Sequence, residues 1–334
     1  MQVSPSVRAL LVPDDNPMHP EFTCIYLVGK PGRQAITIDS GEAIDRYRWF
    51  IKGYLAAVAH EEIAIAAITH HHADHSGNLQ WAKEALDAEI AIPANARPLL
   101  KGRIPRHVTT LRDGDVISLD GGIRLQVLAT PGHSIDSLCY YLEEEGVLFT
   151  GDTLLGSSTT TVSDLASYRR TLQRLLQLPN LRVICPGHGR IVHDPRERLQ
   201  MYIEHRNMRE RQILHLLEGR GTLTSWEIML QLYPEIDPRL RRAADNNVRA
   251  HLAQLAAEGR IREYPGVPRR PPSPRAIQRA EEHARQRDLL IARARRLETQ
   301  KRRQELRRQE NPPTTEWKEP PRYELIGTAT DAAP

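Results

Sequence analysis

The stretch His70-His71-His72-Ala73-Asp74-His75, followed by Ser76-Gly77-Asn78, decides how this 334-residue chain is read. It comes directly after the apolar run 63–69, which has the length and composition of a buried strand running out into a loop. In extended chain, residues i and i+2 project to one side, so His70 and His72 can grip one ion while His71 points away. Asp74 and His75 remain for a second ion. A helical zincin motif also uses two histidines four apart, but it requires Glu directly after the first, and His72 stands there. A histidine-rich surface loop is the plain alternative.

Three further strand ends carry residues of the same kind. Residues 123–129 read as an apolar strand ending in Thr130-Pro131-Gly132-His133-Ser134. Residues 138–142 and 147–150 read as a hairpin about the acidic turn 143–146, and its second strand ends in Gly151-Asp152-Thr153. After a helix over 165–178, the strand 181–185 ends in Pro186-Gly187-His188-Gly189. Pro and Gly shape tight turns beside both histidines. One histidine in a turn means little, but four strand ends that each deliver metal-type donors make coincidence a poor explanation.

Upstream, short β-rich segments over 7–12, 22–28 and 35–39 alternate with turns, as the antiparallel start of a sheet does. Asp39, ending the third, either orients the metal loop or caps the segment after it. An amphipathic helix over 43–59, with Ile44, Tyr47, Ile51, Tyr54, Leu55 and Val58 near one face, leads into the strand at Ile63. A helix over 79–88 and a strand over 90–92 continue an α/β alternation.

No apolar run reaches the ~18 residues of a membrane span, and the first ten residues lack the apolar region of a secretory signal. A cytoplasmic protein without a membrane partner is therefore expected. Cys24, Cys139 and Cys185 each sit in an apolar run, which suits buried thiols in a reducing compartment. The net charge of +4 is uneven, because residues 266–334 hold sixteen Lys and Arg against ten Asp and Glu. The basic character belongs to the tail and does not mark the body as a nucleic-acid surface.

Taken in order, His70, His72, Asp74, His75, His133, Asp152 and His188 fill the ligand set of the metallo-β-lactamase fold, and residues 7–192 resemble that superfamily. The resemblance implies an α/β fold, a four-layer αββα sandwich with the site at one edge of its two sheets. It implies that His70, His72 and His133 hold one divalent ion, that Asp74, His75 and His188 hold another, and that Asp152 bridges them. Asp74 is also the expected catalytic residue, orienting the nucleophile and taking its proton. Two such ions share a water and present it as hydroxide to carbon or phosphorus. These N and O donors suit Zn2+, with iron and manganese as alternatives. Genuine metallo-β-lactamases place Cys where Asp152 stands, so antibiotic hydrolysis is not expected. The set looks instead like the hydroxyacylglutathione hydrolase and ribonuclease side of the superfamily.

Three segments, PGHSIDSLCYYLEEEGVLFTGDTLLG, CPGHGRIVHD and YIEHRNMRERQIL, are similar to the β-lactamase-like protein 2 family, whose members carry a C-terminal winged helix. That likeness implies a zinc-dependent hydrolase acting on a small-molecule thioester or ester, or cleaving single-stranded RNA. Residues 23–29, Thr-Cys-Ile-Tyr-Leu-Val-Gly, depart from the family's Asn-Thr-Tyr-Leu-Val-Gly where first-loop substrate contacts are expected.

Three parts follow: a catalytic domain over 1–203, a winged-helix-like domain over 204–264, and a tail over 265–334 made of a Pro-rich linker, a basic helical extension and a disordered end. Helices are expected over 207–217, through Leu232 and over 240–258, with a wing at 261–264. Thr224-Ser225-Trp226-Glu227 fits a capping box only in part. Such a domain resembles a DNA reader, yet here it is expected to roof the site. Arg206 and Arg209 are candidate contacts to RNA phosphates, or else they pin that roof to the body. The stretch 275–309 lacks Pro and Gly and suits one long helix whose basic blocks attract RNA or form a solvated face. The rival function is a nucleic-acid-binding regulator that uses the metal fold as a sensor. The sequence does not name an oligomeric state.

Overall fold

Residues 22–28, Phe-Thr-Cys-Ile-Tyr-Leu-Val, are apolar on both sides of the strand, and the structure shows why. Cys24, Tyr26 and Val28 enter one core while Ile25 and Leu27 enter another. A strand buried on both faces reads as a continuous apolar run, not as an alternation. The computed structural model describes residues 1–268, except 15, 20, 59–61, 101 and 220, together with residues 317–326.

The first sheet runs in chain order from β1 to β7: β1 (Gln2–Ser4), β2 (Val7–Pro13), β3 (Phe22–Val28), β4 (Ala35–Ile38), β5 (Ile63–Ala67), β6 (Glu89–Pro93) and β7 (Thr109–Leu111). Its first four strands pair antiparallel and its last four parallel. The second sheet holds β8 (Val116–Leu119), β9 (Ile123–Ala129), β10 (Leu138–Leu142), β11 (Val147–Gly151) and β12 (Val183–Pro186), in the order β12-β11-β10-β9-β8.

The two sheets share a core in which Tyr26 and Phe149 meet edge-on, with ring centroids 5.2 Å apart. Such a pair contributes ~0.5–1.5 kcal/mol beyond its buried area. On the other face of the first sheet lie α1 (Asp45–Val58) and, beyond the metal-loop turn α2 (Ala73–Ser76), α3 (Leu79–Leu86) and α4 (Arg97–Leu100). Helix α5 (Leu165–Leu176) buries Tyr168, Leu172 and Leu175 and hydrogen-bonds the loops that follow β9 and β11. The result is helix, sheet, sheet, helix.

Buried tyrosines position the site from within this core. Tyr140 donates its hydroxyl to the carbonyl of Ile68 at 2.6 Å and Tyr26 donates to that of Pro186 at 2.7 Å. Both carbonyls lie two residues before a site histidine. A hydroxyl between two sheets must find an acceptor, so the core that buries these rings also anchors the strand ends that carry those histidines.

The chain divides into two compact units, Met1–Met208 and Arg209–Pro334. The boundary falls inside α6 (Pro195–Leu217), which starts well before the expected residue 207 because Pro195 suits a first helical position. In the second unit, α7 (Ser225–Leu232) and α8 (Arg241–Ala257) pack with the end of α6 through Ile213, Leu217, Ile228, Met229, Val248 and Leu252. The capping box is complete, contrary to the partial fit expected: Thr224 Oγ1 accepts from the Glu227 N–H, and Glu227 accepts from the Thr224 N–H at 2.7 Å.

The sheet of this unit corrects the expected disordered end. Beyond β13 (Leu223–Thr224), β14 (Ile261–Tyr264) and the short pair β15 (Val267–Pro268) and β16 (Trp317–Glu319) comes β17 (Arg322–Leu325), which lies between β13 and β14 as the middle strand. Tyr323 is buried in the core and Leu325 packs against it, so hydrophobic burial overrides the polar surroundings of this segment. The basic helical extension expected over 275–309 lies outside the described residues. Among the described residues, no helix is long and apolar enough to cross a membrane.

Candidate metal centre

After β5, Thr69 and the histidine run turn sharply, and Asp39 holds the turn. Asp39 has φ of 65°, a left-handed conformation that Asp tolerates better than most residues. Its Oδ1 accepts from the Thr69 N–H at 2.7 Å, and its Oδ2 lies 2.7 Å from His75 Nδ1. Of the two roles open to it in sequence, the structure supports the orienting one. Arg103 clamps the other side, donating to Ser76 Oγ at 3.0 Å and to the His71 carbonyl at 2.9 Å.

The seven candidate donors come together from four strand ends. One group is His70, His72, His133 and Asp152, the other Asp74, His75, Asp152 and His188, each with its donor atoms within 4.8 Å of one another. Four of the five histidines are held from outside at Nδ1: His70 by Thr69 Oγ1 at 3.1 Å, His75 by Asp39, His133 by the Thr161 carbonyl at 2.9 Å and His188 by Thr23 Oγ1 at 3.2 Å. That leaves Nε2 of each for the centre. His72 turns Nδ1 inward, 2.9 Å from His70 Nε2 and 3.2 Å from His133 Nε2. His71 points away, as its position in extended chain predicts, and pairs with Asp136 at 2.8 Å.

Two glycines are required here. A Cβ on Gly132, at φ of 141°, would come 2.5 Å from Tyr168 Cβ, so the first Pro-Gly-His turn packs directly on α5. A Cβ on Gly187 would come 2.5 Å from Asp152 Oδ1 and 2.6 Å from His75 Cε1, filling the cradle itself.

The residues fit metal ions. Asp152 Oδ1 is buried without a hydrogen-bond partner, yet it lies 3.3 Å and 3.4 Å from Nε2 of His75 and His188. Its other oxygen, Oδ2, lies 3.8 Å from His133 Nε2, so the carboxylate reaches both groups. Burial pushes His70 well down and His72 down to about 4, with neighbouring histidines adding to it, so these rings stay neutral and able to ligate. Burial works against ionised Asp152, but the nearby His188 and His75 outweigh it and hold the carboxyl well below its usual range. Neutral imidazoles and ionised carboxylates are the forms a metal requires. His75 runs the other way, because Asp39, Asp74 and Asp152 outweigh burial and raise its pKa well above the ordinary value, so an ion there has to displace its proton.

Arg206 is not where a phosphate contact needs it. It is 1% exposed, donates to the Thr160 carbonyl at 2.6 Å and lies over the Tyr168 ring. A side chain with no free surface cannot meet a polyanion, and its position within the first unit is that of a packing residue. Arg209 is half-buried, over Tyr233 with 4.3 Å to the ring centroid.

Sequence reasoning missed His19. The segment before β3 places it against Asp74 and flat on His188, with ring centroids 4.2 Å apart. Burial opposes its charge, but Asp74 and Asp14 overcome this and raise its pKa to about 9. No motif spacing marks His19; the only local signal was the departure at residues 23–29, which begins with Thr23, the residue that orients His188.

Residues 20–188 match the metallo-beta-lactamase superfamily, and residues 224–267 match the beta-lactamase associated winged helix domain. The chain is 33% identical to the beta-lactamase-like protein 2 homolog of Caenorhabditis elegans, over 77% of this chain and 86% of the relative. It is 28% identical to the atrochrysone carboxyl ACP thioesterase of Aspergillus chevalieri, over 78% and 84%. A metallo-beta-lactamase family protein from Thermus thermophilus superposes with a TM-score of 0.66 at 28% identity, covering 78% of this chain and 96% of that one. With sheets, helices and donors arranged in this way, the chain belongs to the metallo-β-lactamase superfamily and carries its associated C-terminal winged helix.

Proposed function

We propose that this protein is a hydrolase that works with two divalent metal ions, most readily Zn2+, and cleaves a thioester or ester. The observation that carries this reading is the sharing of Asp152 between two complete donor groups. His70, His72 and His133 would hold one ion, Asp74, His75 and His188 the other, with Asp152 common to both. Seven donors exceed what a single tetrahedral ion uses. Ions held there supply Lewis acidity, lowering the pKa of a water toward ~7 and polarising an acyl carbonyl.

The chain's own residues do the rest. His75 and His188 have no side-chain exposure, whereas Asp74 and Asp152 keep 13% and 11%, so substrate approaches from the carboxylate side. Asp74 is held well below the usual carboxylate range: burial works against its charge, but His75, His188 and His19 outweigh it. It is therefore ionised, and its carboxylate orients a water and accepts a proton. Asp39 and Thr23 keep His75 and His188 from rotating.

The name of the Aspergillus relative favours a thioester, and the burial of Arg206 removes a candidate phosphate contact for RNA. The regulator reading gains nothing from a donor set with every position filled. The test is elemental analysis of active protein, followed by parallel assays on thioesters, lactones and single-stranded RNA. Thioester or ester turnover with two ions per chain is the expected result; RNA cleavage alone, or fewer than two ions, would overturn it.

A further inference from the structure

His19 lies outside the seven donors, yet it is connected as they are. Its Nδ1 meets Asp14 Oδ2 at 2.8 Å and its Nε2 meets Asp74 Oδ2 at 3.1 Å. Its ring lies on that of His188 with the planes 3° from parallel. Asp14 is itself anchored: Oδ2 accepts from Thr23 Oγ1 at 2.9 Å and from the Tyr47 hydroxyl at 3.2 Å, and Oδ1 accepts from the Asn16 N–H at 2.9 Å. Thr23 in turn holds His188. One carboxylate therefore controls two donors of one group, His188 through Thr23 and Asp74 through His19.

We propose that His19 is a positioning residue for the second ion's site, fixing the Asp74 carboxylate so that Oδ2 faces His75 and His188. This rests on the two-ion reading above. The terminal torsion of an Asp side chain is broad and roughly two-fold, so the side chain alone does not select which oxygen faces the donors. A hydrogen bond from a ring clamped at its far nitrogen makes that selection. The same oxygen lies 3.0 Å from His188 Nε2 and 3.4 Å from His75 Nε2, which makes it the atom the donor group needs. The stacked ring also covers His188 and limits water at that side. The first group has no comparable contact with His19, so its removal acts on one ion and not on both.

The experiment is competition for Zn2+ between the full-length protein and a chromophoric chelator, on wild type, His19→Ala, His19→Gln and Asp14→Asn. In His19→Ala one of the two affinities falls roughly 10–100-fold, as removal of an outer orienting partner typically does, while the other is unchanged. In His19→Gln the side-chain amide still donates to Asp74, so part of the affinity returns. Asp14→Asn weakens the same site in wild type and adds little once His19 is gone, because the two act in series. On a thioester at saturating metal, His19→Ala lowers kcat and leaves KM nearly unchanged. Equal affinities for both ions in wild type and His19→Ala would overturn the role of His19 alone. Parallel loss at both sites, with a fall in melting temperature and no return in His19→Gln, would reduce it to a structural tie. A wild type that holds a single ion would overturn the two-ion reading as well.

Discussion

Oδ2 of Asp39 lies 2.7 Å from Nδ1 of His75, and the same carboxylate receives the Thr69 N–H just before the histidine run. One side chain at the end of β4 thus fixes both the direction of the metal loop and the tautomer of a donor. Asp39→Asn keeps the left-handed backbone but loses the charge, so metal affinity should fall by roughly 10–100-fold with the fold intact. Chelator competition together with circular dichroism checks this; unchanged affinity would show that His75 is oriented by other means.

Asp152→Ala should be close to inactive and should hold fewer than two ions per chain, since it removes the carboxylate that both donor groups share. Elemental analysis beside a thioester assay decides the matter. Wild-type turnover with the same metal content would mean that the bridge is misassigned.

Arg206→Ala should act on stability. It removes a buried, charge-assisted hydrogen bond to Thr160 and the packing on Tyr168, a loss on the order of 1.5–3 kcal/mol. The double variant Arg206→Ala with Arg209→Ala should lose ester turnover together with melting temperature, with any RNA turnover falling in parallel. A selective loss of RNA cleavage at unchanged melting temperature would restore the phosphate contact.

Truncation after residue 268 removes β17 and leaves β13 and β14 without the strand that joins them. The second unit should then melt at lower temperature and become open to proteolysis, although the first unit retains all seven donors. Tyr323→Ala, which empties a buried ring position, should cost about 3 kcal/mol. Identical melting of the truncated and full chains would show that β17 is dispensable.

The three thiols should be silent in the folded protein. Burial pushes Cys24 up to about 12, Cys139 up to about 11 and Cys185 well above its ordinary value. At pH 8 none is a thiolate, so a disulfide reagent should titrate no thiol in native protein and three after denaturation. The linkage has a definite sign. Unfolded thiols release their protons near the ordinary value of 9.0, before the folded ones do, so stability falls as pH rises from about 9 toward 12. Rapid reaction of native protein at pH 8 would contradict this burial.

The strands, the turns behind His133 and His188, and the seven candidate donors were legible in the sequence, because each is written in neighbouring residues: apolar runs, Pro-Gly punctuation, a histidine run at a strand end. What the sequence left open is long-range. Asp39 reaches His75, Thr23 reaches His188 and His19 reaches Asp74 only after two sheets have closed on Tyr26, Tyr140 and Phe149. Arg206 reads in sequence either as a phosphate contact or as a pin, and only its burial against Tyr168 and the Thr160 carbonyl decides against the phosphate. Residues 322–325 sit in a polar tail, but the core around Trp226 and Leu252 supplies the apolar face that Tyr323 and Leu325 need. Local pattern decides which residues are candidate donors and where strands end; which side chain orients which of them, and which distant strand completes a sheet, depends on the surface that folding removes from water.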